Sequence, residues 1–309
     1  MRTSWQRVLD AAGLDGGLRA DYTAAGRMMA RRYPDFYSAI RLLLPAARQP
    51  PLLAVCALGI RGDELADEPA HRRDPVRFHS WADQVRAGLV TGGSDQPHIR
   101  AFLHAADRCG IAHADVRAHL AGQAERLLIT EYATEQDHDD HIDRVVLPMG
   151  RMMVPVFSAD AARHRAVLRP AMDAGQRTDD LVDLHADLRG GLLTVPRTEL
   201  LRFGVTREDL LAARDTPAVR ALVAHRCARA RAVLRTATAA AGRLDAGDRR
   251  LWELTLLYFG HLLDAVERRG AALDRHPLRY VRASPVPLLR AAWRVMHASR
   301  QVPPADTAT

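Results

Sequence analysis

Residues 176–188 read Gln176-Arg177-Thr178-Asp179-Asp180-Leu181-Val182-Asp183-Leu184-His185-Ala186-Asp187-Leu188. At about 100° per residue, Gln176, Asp179, Asp180, Asp183 and Asp187 fall within one stripe about 100° wide. Leu181, Leu184 and Leu188 take the neighbouring face, so the spacing predicts an amphipathic helix with a seam of carboxylates. Carboxylates crowded in this way raise one another's pKa unless cations neutralise them. Mg²⁺ meets that need, because it takes a few carboxylate oxygens, keeps several waters and bridges to phosphate oxygens. A solvated acidic face would give the same pattern.

A second acidic stretch lies upstream, in Arg61-Gly62-Asp63-Glu64-Leu65-Ala66-Asp67-Glu68. Asp63 and Asp67 are one helical turn apart, with Glu64 and Glu68 in a parallel row beside them. The preceding run, Leu52 to Ile60, is apolar, so these carboxylates emerge from a buried helix. Two pairs of the form D-x-x-x-D on two helices can face each other across a cavity. That arrangement would hold a metal–diphosphate cluster, ionise an allylic diphosphate and leave a carbocation in an apolar pocket.

Working outward, the pattern is helical nearly throughout, with apolar residues at three and four as in Val219, Leu222 and Val223. No alternating strand exceeds four residues. Breakers stand at Gly16-Gly17, Pro34, Pro45, Pro50-Pro51, Gly92-Gly93, Gly190-Gly191, Pro196, Gly242 and Pro277. No repeat and no linker divides the chain. The expectation is one all-α domain over residues 21–299, after an N-terminal segment of residues 1–20 and before a frayed tail of residues 300–309.

The chain has 309 residues and a net charge of +7. All 44 of its basic side chains are arginine, and it contains neither lysine nor asparagine. Such a skew looks like codon bias in a GC-rich genome, which weakens the inference from basicity to a nucleic-acid partner. An aromatic content of only 5% also argues against single-strand binding. Without lysine there is no Schiff-base nucleophile and no P-loop lysine. Three scattered cysteines, Cys56, Cys109 and Cys227, suggest reduced thiols. No signal peptide and no transmembrane segment is legible, so a cytoplasmic protein is expected.

Taken together, these residues resemble the squalene/phytoene synthase family of all-α prenyl-transferring enzymes. Phe36-Tyr37 to Pro45, then Arg48, then Asp63-x-x-x-Asp67 resemble its opening block and first aspartate motif. Thr134 to Gly150 is similar to the helix that lines its chain tunnel. Gln176-x-x-Asp179-x-x-x-Asp183-x-x-x-Asp187, followed by Gly191, Val195-Pro196 and Phe203-Gly204-Val205, is similar to the second aspartate motif and its loop. Tyr258 with Leu262, and later Arg279, are similar to a C-terminal tyrosine helix and a late basic position. The resemblance implies a single isoprenoid-synthase-type helical bundle with a central cavity. It implies Mg²⁺ on Asp63, Asp67, Asp183 and Asp187, and an allylic prenyl diphosphate as substrate. Tyr258 and His141 then join those aspartates as catalytic candidates. Tyr37, Arg48, Gln176, Asp179, Asp180, Val146, Leu147 and Arg279 become the binding candidates. A monomer or dimer, with peripheral membrane contact, is compatible with this reading.

The departures from the family pattern are specific. Asp35 stands where a serine is usual, and Cys56 where a tyrosine is. The arginine three before the first aspartate is Ile60, with Arg61 displaced by one. In the second motif the usual asparagine is Asp179 and the usual arginine is Val182. The following Gly-Arg reads Gly191-Leu192. The small Ala-Gly pair of the tunnel helix reads Val146-Leu147, and the tyrosine before it is His141. Loss of arginines removes positive charge from a diphosphate site, and larger tunnel residues shorten the space for prenyl carbons. The expected reaction is therefore transfer of a prenyl group to a small aromatic or indole-like acceptor, with His141 as the base. Head-to-head coupling of two prenyl diphosphates is the alternative. A terpene cyclase and a non-catalytic binding or assembly relative are further ones.

The run Asp137-His138-Asp139-Asp140-His141-x-Asp143 invites a transition-metal reading, although polar residues on every side suggest an exposed turn or helix start. Arg226, Arg229 and Arg231 read as a solvated face. No glycine-rich dinucleotide fingerprint is present, so no NADPH is expected.

Overall fold

The computed structural model describes residues 4–67, 75–158 and 160–275. In chain order its α-helices are α1 Ser4–Ala11, α2 Gly16–Arg32, α3 Pro34–Leu43, α4 Gln49–Asp67 and α5 Pro75–Thr91. They continue with α6 Pro97–Cys109, α7 His113–Arg126, α8 Glu135–His141, α9 Leu147–Phe157 and α10 Arg165–Val182. The last are α11 Leu184–Arg189, α12 Arg197–Phe203, α13 Arg207–Leu211, α14 Pro217–Ala241 and α15 Ala246–Arg269. Among the described residues the one departure from helices and turns is an isolated parallel bridge between Glu131 and Leu193. The all-α expectation is met.

The breakers act where their chemistry requires. Pro34 and Pro97 open α3 and α6 in the first turn, where a missing N–H costs nothing. Gly110 and Gly204 end α6 and α12 with φ of 69° and 63°. Gly16-Gly17 and Pro50-Pro51 interrupt nothing, since they lie in the first turns of α2 and α4.

No linker sequence marks a division, yet the chain groups into two compact units. The first comprises Met1–Ile129 and Asp143–Ala161, and the second Thr130–Ile142 and Ala162–Thr309. In the first, α4 packs on both α2 and α6. The contact is lined by Ala25, Ala54, Ala57, Ala101 and Ala105, all fully buried, and residues this small let helix axes approach closely. Leu52 to Leu58 are buried around the whole circumference of α4, as expected of a helix that is apolar on every side. Arg100 clamps Asp21 with two hydrogen bonds of 2.9 and 2.6 Å, tying α6 to α2. Residues expected to precede the domain are part of this unit: Leu9, Ala12 and Leu14 join Tyr22 in its core.

The second unit is built on α10, α14 and α15, which pack pairwise through Leu181, Leu184, Val219, Leu222, Val223, Leu263 and Val266. Its N-terminal strip reaches the loop after α11, where Leu193 N–H donates to the Thr130 carbonyl at 2.8 Å and Arg197 N–H to that of Tyr132 at 2.9 Å. The tail of residues 300–309 lies outside the described residues.

Candidate active site

The first aspartate motif closes α4. Asp63 is half-buried and accepts a 2.6 Å hydrogen bond from the Nε2 amide of Gln123 on α7. Two glycines on α4 admit its neighbours. A Cβ at Gly62 would touch Trp81 at 3.4 Å, and one at Gly59 would lie 2.9 Å from the Met149 methyl on α9. Asp67 is the last residue of α4, and its side chain lies outside the described residues. Arg61 pairs with Glu64 one turn on, at 3.2 Å. Tyr37 is half-buried on α3, and Arg48 donates to the Phe157 carbonyl at the end of α9.

The segment that follows α8 winds as a π-helical turn over Ile142–Val146 before α9 begins. Such turns are rare and often mark functional positions. Leu147 is buried and Val146 half-buried. Gly122 of α7 packs on this turn so closely that a Cβ would overlap the Arg144 carbonyl oxygen and sit 2.9 Å from Val145 Cα. The sequence signalled none of this, since Gly122 reads as an ordinary helix glycine.

The second aspartate motif is not one straight helix. Asp183 has φ −98° and ψ 2°, ends α10 and opens α11, so the chain bends there. The i→i−4 ladder persists through the bend, with Asp183 N–H to Asp179 at 2.8 Å and Asp187 N–H to Asp183 at 2.9 Å. Asp183 and Asp187 are half-buried and Asp179 is exposed. Asp180 departs from the seam to which its spacing assigned it: it is 5% exposed and engaged inward. His138 Nε2 donates to it at 2.6 Å, Gln176 Nε2 donates at 2.8 Å, and the Arg226 guanidinium lies 3.8 Å away. Burial acts to raise the Asp180 carboxyl, but His138, Arg226 and Gln176 together hold it below the usual range. Gln176 is thus committed to Asp180. Beside it, Gly175 leaves room for the Phe259 ring of α15, whose Cζ would lie 2.8 Å from a Cβ. Tyr258 is half-buried against the core of this unit. Arg279 lies outside the described residues.

The polar run over α8 is a helix start, with Gln136 and Asp137 exposed, but its two histidines face inward. His138 and His141 are 0% and 3% exposed, and both pack on Tyr132, with ring centroids 5.4 and 5.5 Å away. Asp137 closes a capping box with Thr134. Glu135, His138 and Asp139 each place one ligand atom within 4.8 Å of the others. Guanidinium groups already occupy that space. Arg177 binds Glu135, and also Asp139 and Asp173 at 2.6 Å each, while Arg229 and Arg226 reach Glu135 at 2.7 and 3.1 Å. Burial raises the Glu135 carboxyl, and the positive charges of Arg226, Arg177 and Arg229 outweigh it and hold it low. Three cations where a metal would sit do not fit a transition-metal centre. The expected solvated arginine face is corrected by the same contacts: Arg226 is 3% exposed, and Arg231 pairs with Asp264 and Glu267 at 2.6 and 2.7 Å.

Where the family pattern has arginine, this chain has core. Ile60, Val182 and Leu192 are 4%, 7% and 3% exposed. An arginine in any of these positions would have to bury its charge or repack its surroundings. Cys56 is likewise buried, and burial pushes its thiol up to about 12, so it is inert.

The described residues thus form an all-α protein with two acidic D-x-x-x-D motifs, one closing α4 and one running across the bend after α10. The family model described as squalene/phytoene synthase matches residues 29–286, and the chain belongs to that family. It is 27% identical over 270 residues to a protein named phytoene synthase 3, chloroplastic, of Zea mays, covering 84% of this chain and 62% of that protein. It is 25% identical over 283 residues to 15-cis-phytoene synthase of Synechococcus elongatus, covering 86% of this chain and 92% of the relative. Among solved structures it is similar to squalene synthase HpnC from Alicyclobacillus acidocaldarius, with 25% identity and a TM-score of 0.70 over 84% of this chain and 98% of that one. The chain thus spans less than two thirds of the maize relative's length. No helix among the described residues is long and apolar enough to cross a membrane.

Proposed function

We propose that this chain is a Mg²⁺-dependent prenyltransferase that couples two allylic prenyl diphosphates head to head. The observation that carries the reading is the sorting of carboxylates along residues 173–187. Asp173 and Asp180 are buried against cationic or amide partners, whereas Asp183 and Asp187 stand half-buried at the bend, one turn apart. Asp63 matches them in exposure and accepts a hydrogen bond from the Gln123 amide. Oxygen donors of this kind suit Mg²⁺: Asp63 with Asp67 would hold it in the first unit, and Asp183 with Asp187 in the second. When bound, the ion supplies positive charge to the diphosphate leaving group. The chain's own part is to fix those carboxylates: the Asp183 bend orients two of them, and Gln123 orients the third. The relatives named phytoene synthase and squalene synthase support coupling of two prenyl chains, which takes precedence over the non-prenyl acceptor expected from the sequence.

A second reading rests on Ile60, Val182 and Leu192. Their burial leaves a diphosphate site with fewer cations, which favours one diphosphate and a different acceptor, with His141 as base. One experiment separates the two. Purified protein is incubated with Mg²⁺ and C5, C10, C15 or C20 allylic diphosphates, with and without indole or phenolic acceptors, and products are read by mass. Head-to-head hydrocarbon with no added acceptor is expected. Diphosphate release only with an acceptor would establish the second reading, and no release from any donor would end the enzyme assignment.

A further inference from the structure

Behind Asp63, α7 presents His119, Gly122 and Gln123 on one face, since residues three and four apart share a sector about 100° wide. Gly122 presses on the π turn, with the Arg144 carbonyl and Val145 Cα against it. Gln123, one turn beyond His119, reaches α4. Its Nε2 donates to Asp63, and its Cδ would lie 3.8 Å from a Cβ on Gly62. His119 and Gln123 are both buried, and all of these residues belong to the first unit.

Hydrogen-bond valence fixes how the pair is wired. An ionised carboxylate only accepts, so the Gln123 NH₂ faces Asp63 and Oε1 points away from it as an acceptor. That oxygen makes no hydrogen bond with a protein group. Trp81 packs beside Gly62, but its Nε1–H is already committed to His98 Nε2 at 3.3 Å. Burial pushes His119 down to about 4, so its ring is neutral, with one N–H and one acceptor nitrogen. The Val145 backbone acts in the opposite sense, and a group that raises a histidine accepts from it, so the ring N–H faces the Val145 carbonyl. This contact is too loose to complete a hydrogen bond at either nitrogen. The second nitrogen is then an acceptor, as Gln123 Oε1 is. Two acceptors cannot bond each other, and buried ones are rarely left alone. A water molecule carries two O–H donors and serves both.

We propose that one internal water bridges His119 and Gln123, and that His119 thereby acts as a positioning residue, locking the amide that aims Asp63. The positioning role rests on the reading of Asp63 as a Mg²⁺ ligand, whereas the bridge itself does not. A high-resolution crystal structure of the full chain in EDTA tests the bridge. Density for one water within hydrogen-bond distance of a His119 ring nitrogen and Gln123 Oε1 is expected. No density there, or a direct hydrogen bond between the two side chains, overturns the proposal. Mn²⁺ titrated into the full chain, followed by the paramagnetic signal of the free ion, tests the positioning role. The binding component removed by Asp63→Asn is the one read. Gln123→Met is expected to weaken it about ten-fold and His119→Met about three-fold, while His119→Gln, which keeps a side-chain acceptor, recovers most of that loss. The double variant should bind no more weakly than Gln123→Met alone, because His119 acts only through the amide. Thermal unfolding of His119→Met should stay near the wild type, since an apolar side chain replaces a buried polar one of similar size. Lost stability together with additive weakening is the signature of packing alone and overturns the positioning role, as does wild-type affinity in His119→Met. If Asp63→Asn removes no component, the metal reading of Asp63 fails and the positioning role with it, and the density alone then decides the bridge.

Discussion

Two stretches of this chain carry the same D-x-x-x-D spacing, and they use it differently. On α4 the helix runs to its acidic end, where Asp63 accepts from the Gln123 amide and Glu64 pairs with half-exposed Arg61. On α10 the carboxylates are divided. Asp173 and Asp180 face inward onto Arg177, His138 and Arg226, and only past the bend at Asp183 does the acidic row resume. Spacing alone does not assign a carboxylate its task. The burial that the fold gives each one differs: Asp173 and Asp180 are buried, whereas Asp183 and Asp187 are half-buried.

That contrast can be broken most severely at Asp180. Asp180→Asn leaves His138 and Arg226 facing a neutral group in a buried site, with an expected loss of about 3–5 kcal/mol in urea unfolding. Unchanged stability would group Asp180 with the carboxylates proposed to hold Mg²⁺. The reverse signature is expected past the bend. Asp183→Asn and Asp187→Asn should each lower kcat by about 10²–10³-fold while thermal unfolding stays at the wild-type temperature. Full turnover in either would remove the metal assignment. Gly122→Ala tests the packing of the π turn beside the first motif. With a backbone carbonyl in the way, about 1–3 kcal/mol of destabilisation is expected. Gly175→Ala meets a ring that can shift and should cost less.

Acid separates buried groups of the two units on another axis. Burial, partly offset by a backbone hydrogen bond at Val145, pushes His119 down to about 4 from 6.5, so the unfolded chain takes up its proton first as pH falls. Stability from this group is complete above pH 6.5 and is lost toward pH 4, at no more than about 1.4 kcal/mol per pH unit. Asp180 and Glu135 are depressed instead, so their contribution holds above the ordinary carboxylate range and is lost only as pH falls below it. Denaturant titrations between pH 7 and 3 should show two limbs, the upper shallower in His119→Gln and the lower in Asp180→Asn. The smallest effect belongs to exposed Asp179, where asparagine should change stability by no more than about 0.5 kcal/mol.

The helices were legible because their periodicity is local, and the acidic motifs because four-residue spacing is visible on paper. The fate of Asp180 was not. Its partners His138 and Arg226 are 42 and 46 positions away, and in a chain saturated with arginine no single one advertises itself. The stretch from Asp137 to Asp143 misled for the same reason. Polar residues on every side signal exposure only if no distant cation arrives to neutralise them, and here Arg177 and Arg229 do. The bend at Asp183 has no proline or glycine to announce it. Ile60, Val182 and Leu192 could be noticed as missing arginines, but their place in the core came only from tertiary packing.

The strip from Thr130 to Ile142 belongs to the second unit, although α9 and the rest of a first-unit segment follow it in the chain. Its anchor, Glu135, closes on Arg226 and Arg229, which are 91 and 94 residues further along. During synthesis the strip therefore leaves the ribosome long before its partners exist. The first unit can assemble as it emerges, while the acidic, histidine-rich strip waits in water for α14 to be made. Its polar composition leaves little apolar surface in water through that interval.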